Sequence, residues 1–311
     1  MTLRISVFDG HCDTILRCWE TGQDLADNRG AVDLARGGRF GRYCQFFALF
    51  SVDDPKVGKS AHQIYEEEYA LFCRQMAAHS DRVVHCRSGE DARQAHEQGK
   101  IAAFLSVEGA HSLNCDLDQL RLAYDRGVRA VNLTWNNANV LSGTNCQEPE
   151  RGLSRQGREF VREMERLGML VDVSHLSDPG FWDVMEMARR PIIASHSNAR
   201  AVCLHTRNLT DEQFTAIIKN QGVVGLNLCR EFVGGREDVD ALAAHLEHFL
   251  ALGGERTVAL GGDLDGCEPV KGIPDIAGWA VFYERLLQLN YKESVLEDLF
   301  YNNFMRVVSG L

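Results

Sequence analysis

Short runs of apolar and β-branched residues alternate along the chain with longer stretches in which apolar positions recur every three or four residues. The runs fall at Ile5–Phe8, Tyr43–Phe50, Ile101–Val107, Ala130–Trp135, Leu170–Val173, Pro191–Ala194, Gly222–Leu228 and Thr257–Leu260. Their length and composition predict buried strands. Helical spacing marks Ala61–Ala78, Leu117–Arg126, Arg155–Leu167, Pro179–Ala188, Asp211–Asn220, Val239–Leu252, Gly278–Leu289 and Glu293–Val308. Strand-then-helix order requires crossover connections, and crossovers make the sheet parallel. Eight such units predict a closed α/β barrel, a (β/α)8 TIM barrel, in a single domain over residues 1–311. That length suits a fold needing about 250 residues. An open nucleotide-binding sheet would show a G-x-G-x-x-G turn after its first strand. Here that strand runs into Asp9-Gly10-His11-Cys12-Asp13. Gly58-Lys59-Ser60 imitates the end of a phosphate loop, but Asp53 stands where its first Gly belongs.

Catalytic groups of such a barrel sit where strands end, on the C-terminal rim. The first strand leads to His11 and Asp13, the third to Glu108, the fifth to His175, the sixth to His196 and the eighth to Asp263. Residues two apart on an extended backbone share a face, so His11 and Asp13 both point into the barrel mouth. Imidazole and carboxylate donors with an open position suit catalytic zinc. The candidate ligands gathered at these five strand ends exceed what one tetrahedral ion needs. Glu108 is the carboxylate placed to bridge two ions.

Each of these residues also has a plainer explanation: a polar strand terminus for Glu108, a helix start near His175, a turn at His196. Joint occurrence at five strand ends overrides them, because buried His, Asp and Glu are costly unless paired or metal-bound. Asp265-Gly266 reads as turn chemistry. His62, His79, His85, His96, His245 and His248 fall on or beside predicted helices and are expected to be solvated. His111 and His205 lie nearer the rim without a strand-end position.

The formal charge is −11, and no basic stripe appears, which argues against nucleic acid. The N-terminal residues lack the basic and apolar regions of a signal peptide, and no run of ~18 apolar residues could span a membrane. The expectation is a cytoplasmic protein without a membrane partner. The ten cysteines are irregularly spaced with no C-x-x-C, so they are expected to be free and mostly buried thiols. The sequons at Asn132 and Asn208 carry no weight without a secretory signal.

Asp9-Gly10-His11-Cys12-Asp13-Thr14, Ser106-Val107-Glu108-Gly109-Ala110-His111-Ser112 and Val171-Asp172-Val173-Ser174-His175 resemble the membrane (renal) dipeptidase family of zinc peptidases. Ala194-Ser195-His196-Ser197-Asn198-Ala199 and Gly261-Gly262-Asp263-Leu264-Asp265-Gly266 do so too, in the family's order. The resemblance implies a metal-dependent hydrolase barrel with two zinc ions acting on small dipeptides, L,D-dipeptides among them, and a homodimeric assembly. It implies that His11 and Asp13 hold one Zn2+, His175 and His196 the other, and Glu108 both. Asp263 would handle the proton, and Arg207 would grip the substrate carboxylate, a task that suits a planar bidentate donor. One departure stands out. Mammalian members carry a His after the Leu-Thr of the fourth strand, whereas Leu133-Thr134-Trp135-Asn136 here is closer to bacterial members. Manganese or cobalt could replace zinc at such ligands. Another amidohydrolase activity on the same scaffold, an N-acyl amino acid amidohydrolase or a lactonase, is the alternative.

Overall fold

The computed structural model describes residues 5–311. Its strands are β1 (Ser6–Cys12), β2 (Arg42–Phe50), β3 (Val83–His85), β4 (Ile101–Glu108) and β5 (Val128–Asn132), then β6 (Leu170–Asp172), β7 (Ile193–Ala194), β8 (Val223–Leu226) and β9 (Val258–Leu260). All pairings between them are parallel. The order β1-β2-β4-β5-β6-β7-β8-β9 closes on itself through Asp9 and Leu260. This is the eight-stranded barrel the pattern predicts, with β3 added outside the count against Ile101–Ala103 of β4.

Strand alternation divides the core in two. Phe8, Phe46 and Phe104 point into the lumen, where their ring centroids stack 5.2–5.9 Å apart. Val7, Phe47 and Leu105 belong to the layer that packs against the helices. Each buried Phe adds roughly 1.5–3 kcal/mol of hydrophobic stabilisation. Phe304 enters the same lumen from the C-terminal segment, 5.1 Å from Phe8.

That segment is predicted as one helix over Glu293–Val308 but contains a π turn at Asp298–Asn302 between helices Glu293–Glu297 and Asn303–Val308. The widened turn shifts the angular phase of the residues after it. Phe300 thereby packs on Phe282, while Phe304 reaches the lumen. Helix starts follow local chemistry: Ser60 with Gln63 and Thr210 with Gln213 form reciprocal caps.

Several histidines depart from expectation, among them His96, which is half-buried with its Nδ1 3.1 Å from the Tyr301 hydroxyl. His245 is fully buried: its Nδ1 accepts from the Ala199 amide at 3.1 Å and its Nε2 faces the Val233 carbonyl at 3.0 Å. It ties the segment after β7 to the segment after β8. His85 lies on β3, not a helix, with its ring edge-on to Phe72.

Burial pushes the His85 imidazole down to about 4. Above pH ~6.5 the ring is neutral folded or unfolded; between there and about 4 only the unfolded chain takes the proton. Stability therefore falls as pH falls through this window, by as much as ~3 kcal/mol for this group. Chemical denaturation of wild type and His85→Gln at pH 7.5 and 4.5 should show wild type losing more on acidification. Parallel losses would refute the assignment.

Candidate metal centre

Ala102, Phe104, Ser106 and Glu108 share one face of β4, so the alternation that puts Phe104 in the lumen lifts Glu108 to its mouth. On β1 the same phase would point Phe8, Gly10 and Cys12 inward. The pairing with β2 is irregular between Asp9 and Cys12, and Cys12 instead joins the outer layer. This break turns His11 and Asp13 into the mouth. His196 follows the two-residue β7, where a Cβ on Gly225 or Gly261 would collide with the Ser195 carbonyl. The two glycines admit that backbone to the barrel axis and so centre His196. His175 and Asp263 follow β6 and β9 in left-handed backbone, φ 72° and 55°.

The structure brings all five expected ligands together. Glu108 Oε1 lies 2.8 Å from His175 Nε2 and 3.5 Å from His196 Nε2, while Oε2 lies 3.5 Å from His11 Nε2. Asp13 Oδ2 is 3.8 Å from His11 Nε2. Two sets of potential ligand atoms lie within 4.8 Å of one another: His11, Glu108 and His196, and His11, Asp13 and Asp263. Both ring nitrogens of His11 and Oδ1 of Asp13 are buried without a hydrogen-bond partner among the described residues. Unpaired polar atoms this deep are unfavourable, and these are nitrogen and carboxylate donors that a divalent transition metal satisfies.

Burial dominates the electrostatics. It pushes Glu108 up to about 7 and Asp263 up to about 6, with the neighbouring Asp13 raising both. It drives His175 and His196 well below the usual imidazole value, leaving neutral rings with free lone pairs. Their Nε2 atoms face each other at 3.0 Å. A cation between these donors would relieve both effects.

A cavity of about 430 Å³ opens above Glu108, Asp13, His175 and Asp263. Phe50 and Trp135 pack against each other on one wall, their ring centroids 4.7 Å apart and their planes tilted by 51°. Trp135 lies beyond the end of β5, which runs Val128–Asn132, earlier than the predicted Ala130–Trp135. Arg207 is 3% exposed and lies outside the lining, its guanidinium 5.6 Å from the ring centre of Phe232, which does line the cavity. Its Nε has no partner among the described residues, and its Nη atoms make only long contacts to the Ser197 hydroxyl and the His196 carbonyl, both 3.4 Å.

His111 and His205 stay outside the cavity lining. His111 Nε2 is bonded to the Ser51 carbonyl at 2.7 Å, and His205 Nδ1 accepts from the Arg207 amide at 3.1 Å. Asp265 has the left-handed backbone of a turn, but its carboxylate lines the cavity and holds the Thr14 hydroxyl and the Ala31 amide from distant segments, which turn chemistry did not suggest. All ten cysteines are free, and the sequon residues Asn132 and Asn208 are buried.

Sequence reasoning missed a supporting layer. Asp9 accepts from the amides of His11 and Gly262 and from Trp279 Nε1, at 2.8–3.1 Å, pinning β1 to β9 beneath the centre. Asp172 does the same between β6 and β7 through the Ser174 and Ser195 amides. Asn227 donates to Asp263 Oδ2 at 3.0 Å. A carboxylate inside an apolar run was the available signal for Asp172, whereas Asp9 stands just past its run at the head of the His11 motif.

The membrane dipeptidase family, peptidase family M19, matches residues 1–310. A Klebsiella pneumoniae protein described as an uncharacterized protein in the pqqA 5′ region is 34% identical over 251 residues, covering 76% of this chain and 93% of its own length. The crystal structure of a Rhodobacter sphaeroides metallopeptidase, liganded with a phosphinate mimic of the dipeptide L-Ala-D-Ala, superposes with a TM-score of 0.89 at 28% identity, covering 98% of this chain and 99% of that one. The M19 metallopeptidase dipeptidase AC gives 0.89 at 29% identity, covering 99% and 100%. No helix among the described residues is long and apolar enough to cross a membrane, whatever the family's name suggests. The chain belongs to the membrane dipeptidase family and is a metal-dependent dipeptidase.

Proposed function

We propose that the chain hydrolyses free dipeptides, L,D-dipeptides among them, at two zinc ions bridged by Glu108. The observation that carries the two-ion reading is the division of Glu108: Oε1 faces His175 and His196, and Oε2 faces His11. His11 and Asp13 would hold one ion, and His175 and His196 the other. The chemistry such ions would supply is Lewis-acid activation of a water and of the carbonyl to be attacked. Asp263, held by Asn227, takes the proton from the attacking water and delivers it to the leaving nitrogen. Arg207 pairs with the substrate's C-terminal carboxylate. A buried guanidinium without an ionic partner among the described residues favours an anion, and the bidentate fork fixes its orientation. Phe232, which lines the cavity, lies over Arg207. The support for L,D-dipeptides is the mimic bound by the Rhodobacter relative.

Metal analysis with a panel of L,L- and L,D-dipeptides tests this reading. Two equivalents of zinc per chain and turnover abolished by a chelator are expected. Arg207→Met should raise KM for dipeptides roughly 10–100-fold, the worth of one charged hydrogen bond or slightly more, without changing zinc content. Two metals with turnover of N-acyl amino acids or lactones instead of dipeptides would overturn it.

A further inference from the structure

His175 is held by a single loop. Its ring Nδ1 lies 3.0 Å from Asn136 Oδ1, and its carbonyl accepts from the Asn145 amide at 3.1 Å. The loop is closed on itself: the Asn136 carbonyl accepts from the Thr144 hydroxyl at 2.9 Å, and Thr144 pairs with Leu176, next to His175. This grip matters because His175 has left-handed backbone, which a residue with a Cβ adopts only when its surroundings enforce it.

The ring contact has a chemical consequence. An amide oxygen can only accept, so it places the imidazole proton on Nδ1 and leaves the Nε2 lone pair facing Glu108 and His196. Without that acceptor, the Glu108 carboxylate 2.8 Å away would draw the proton to Nε2, where it blocks coordination. The other two rings lack this control. His196 Nδ1 meets the Ser195 hydroxyl, which can donate or accept, and neither nitrogen of His11 has a partner among the described residues.

We propose that Asn136, beside the Trp135 that departs from the mammalian pattern, is a positioning residue that fixes the tautomer and orientation of His175 for metal binding. The inference rests on the proposed metal ligation by His175. It does not depend on which substrate is cleaved. Asn136 is half-buried on the cavity wall, so replacing it leaves the barrel core intact.

The test is zinc affinity, measured by competition with a chromophoric chelator on metal-depleted protein. Asn136→Leu should weaken one of the two ions by about 10–100-fold, the usual effect of losing an outer hydrogen bond to a ligand imidazole. Asn136→Asp, which keeps only acceptors, should stay close to wild type. Thermal melting of the metal-free proteins should not separate the three. Native affinity in Asn136→Leu, or equal losses in both variants, would overturn the role. If Asn136→Leu does not fold, Asn136→Ala supplies the same comparison. Wild type that binds one ion or none would instead count against the two-zinc proposal itself.

Discussion

Asp263→Asn is expected to keep its metal and lose its turnover, with kcat lower by roughly 10²–10⁴-fold, the range a positioned general acid–base contributes. The carboxamide has nearly the shape of the carboxylate, and its oxygen can still accept from Asn227. What it cannot do is bind and release a proton. KM should therefore move little, since the contact proposed between the substrate and Arg207 is untouched. Steady-state kinetics beside elemental analysis separate the outcomes. Normal turnover would remove Asp263 from the reaction. Loss of an ion would make it a ligand, a reading its closeness to His11 and Asp13 keeps in view.

Glu108→Gln should act one step earlier, on the metal itself. The wild-type carboxylate presents one oxygen to each group of donors. An amide offers one weak acceptor oxygen and an NH2 group that repels a cation. The protein should retain at most one equivalent of zinc, and kcat/KM should fall on the order of 10³-fold, since an ion supplies several kcal/mol of charge stabilisation. Zinc titration against wild type decides it. Two tightly bound ions in the variant would exclude the bridge.

The barrel was largely legible because its eight strands and the helices between them are marked by local periodicity. What escaped was mostly short or dependent on tertiary packing, although the helix Gly89–Glu97, capped by Ser88, also went unpredicted despite a local start signal. Strand β3 is three residues long, and helix Thr14–Thr21 follows a site motif with no clear start signal. The five candidate ligand positions were legible for a topological reason: each lies close behind an apolar run, so sequence position alone locates it near the rim. Asn136, Asn227 and Asp9 were not, because the partner that gives each its role comes from another strand or loop. His245 misled in the opposite direction. Its helix looks amphipathic, and only the fold shows that two backbone groups from separate loops await it.

Phe304 sets a condition on the order of assembly. It completes an aromatic cluster whose other members, Phe8, Phe46 and Phe104, come from the first third of the chain. A collision awaiting any Cβ at Gly10 shows how tightly the late ring is seated. During synthesis the early strands must therefore wait, with their apolar interior unsealed, for nearly two hundred more residues after Phe104. Contacts separated this widely in sequence form slowly. The interior of the nascent barrel therefore stays open until its C-terminal segment has been made.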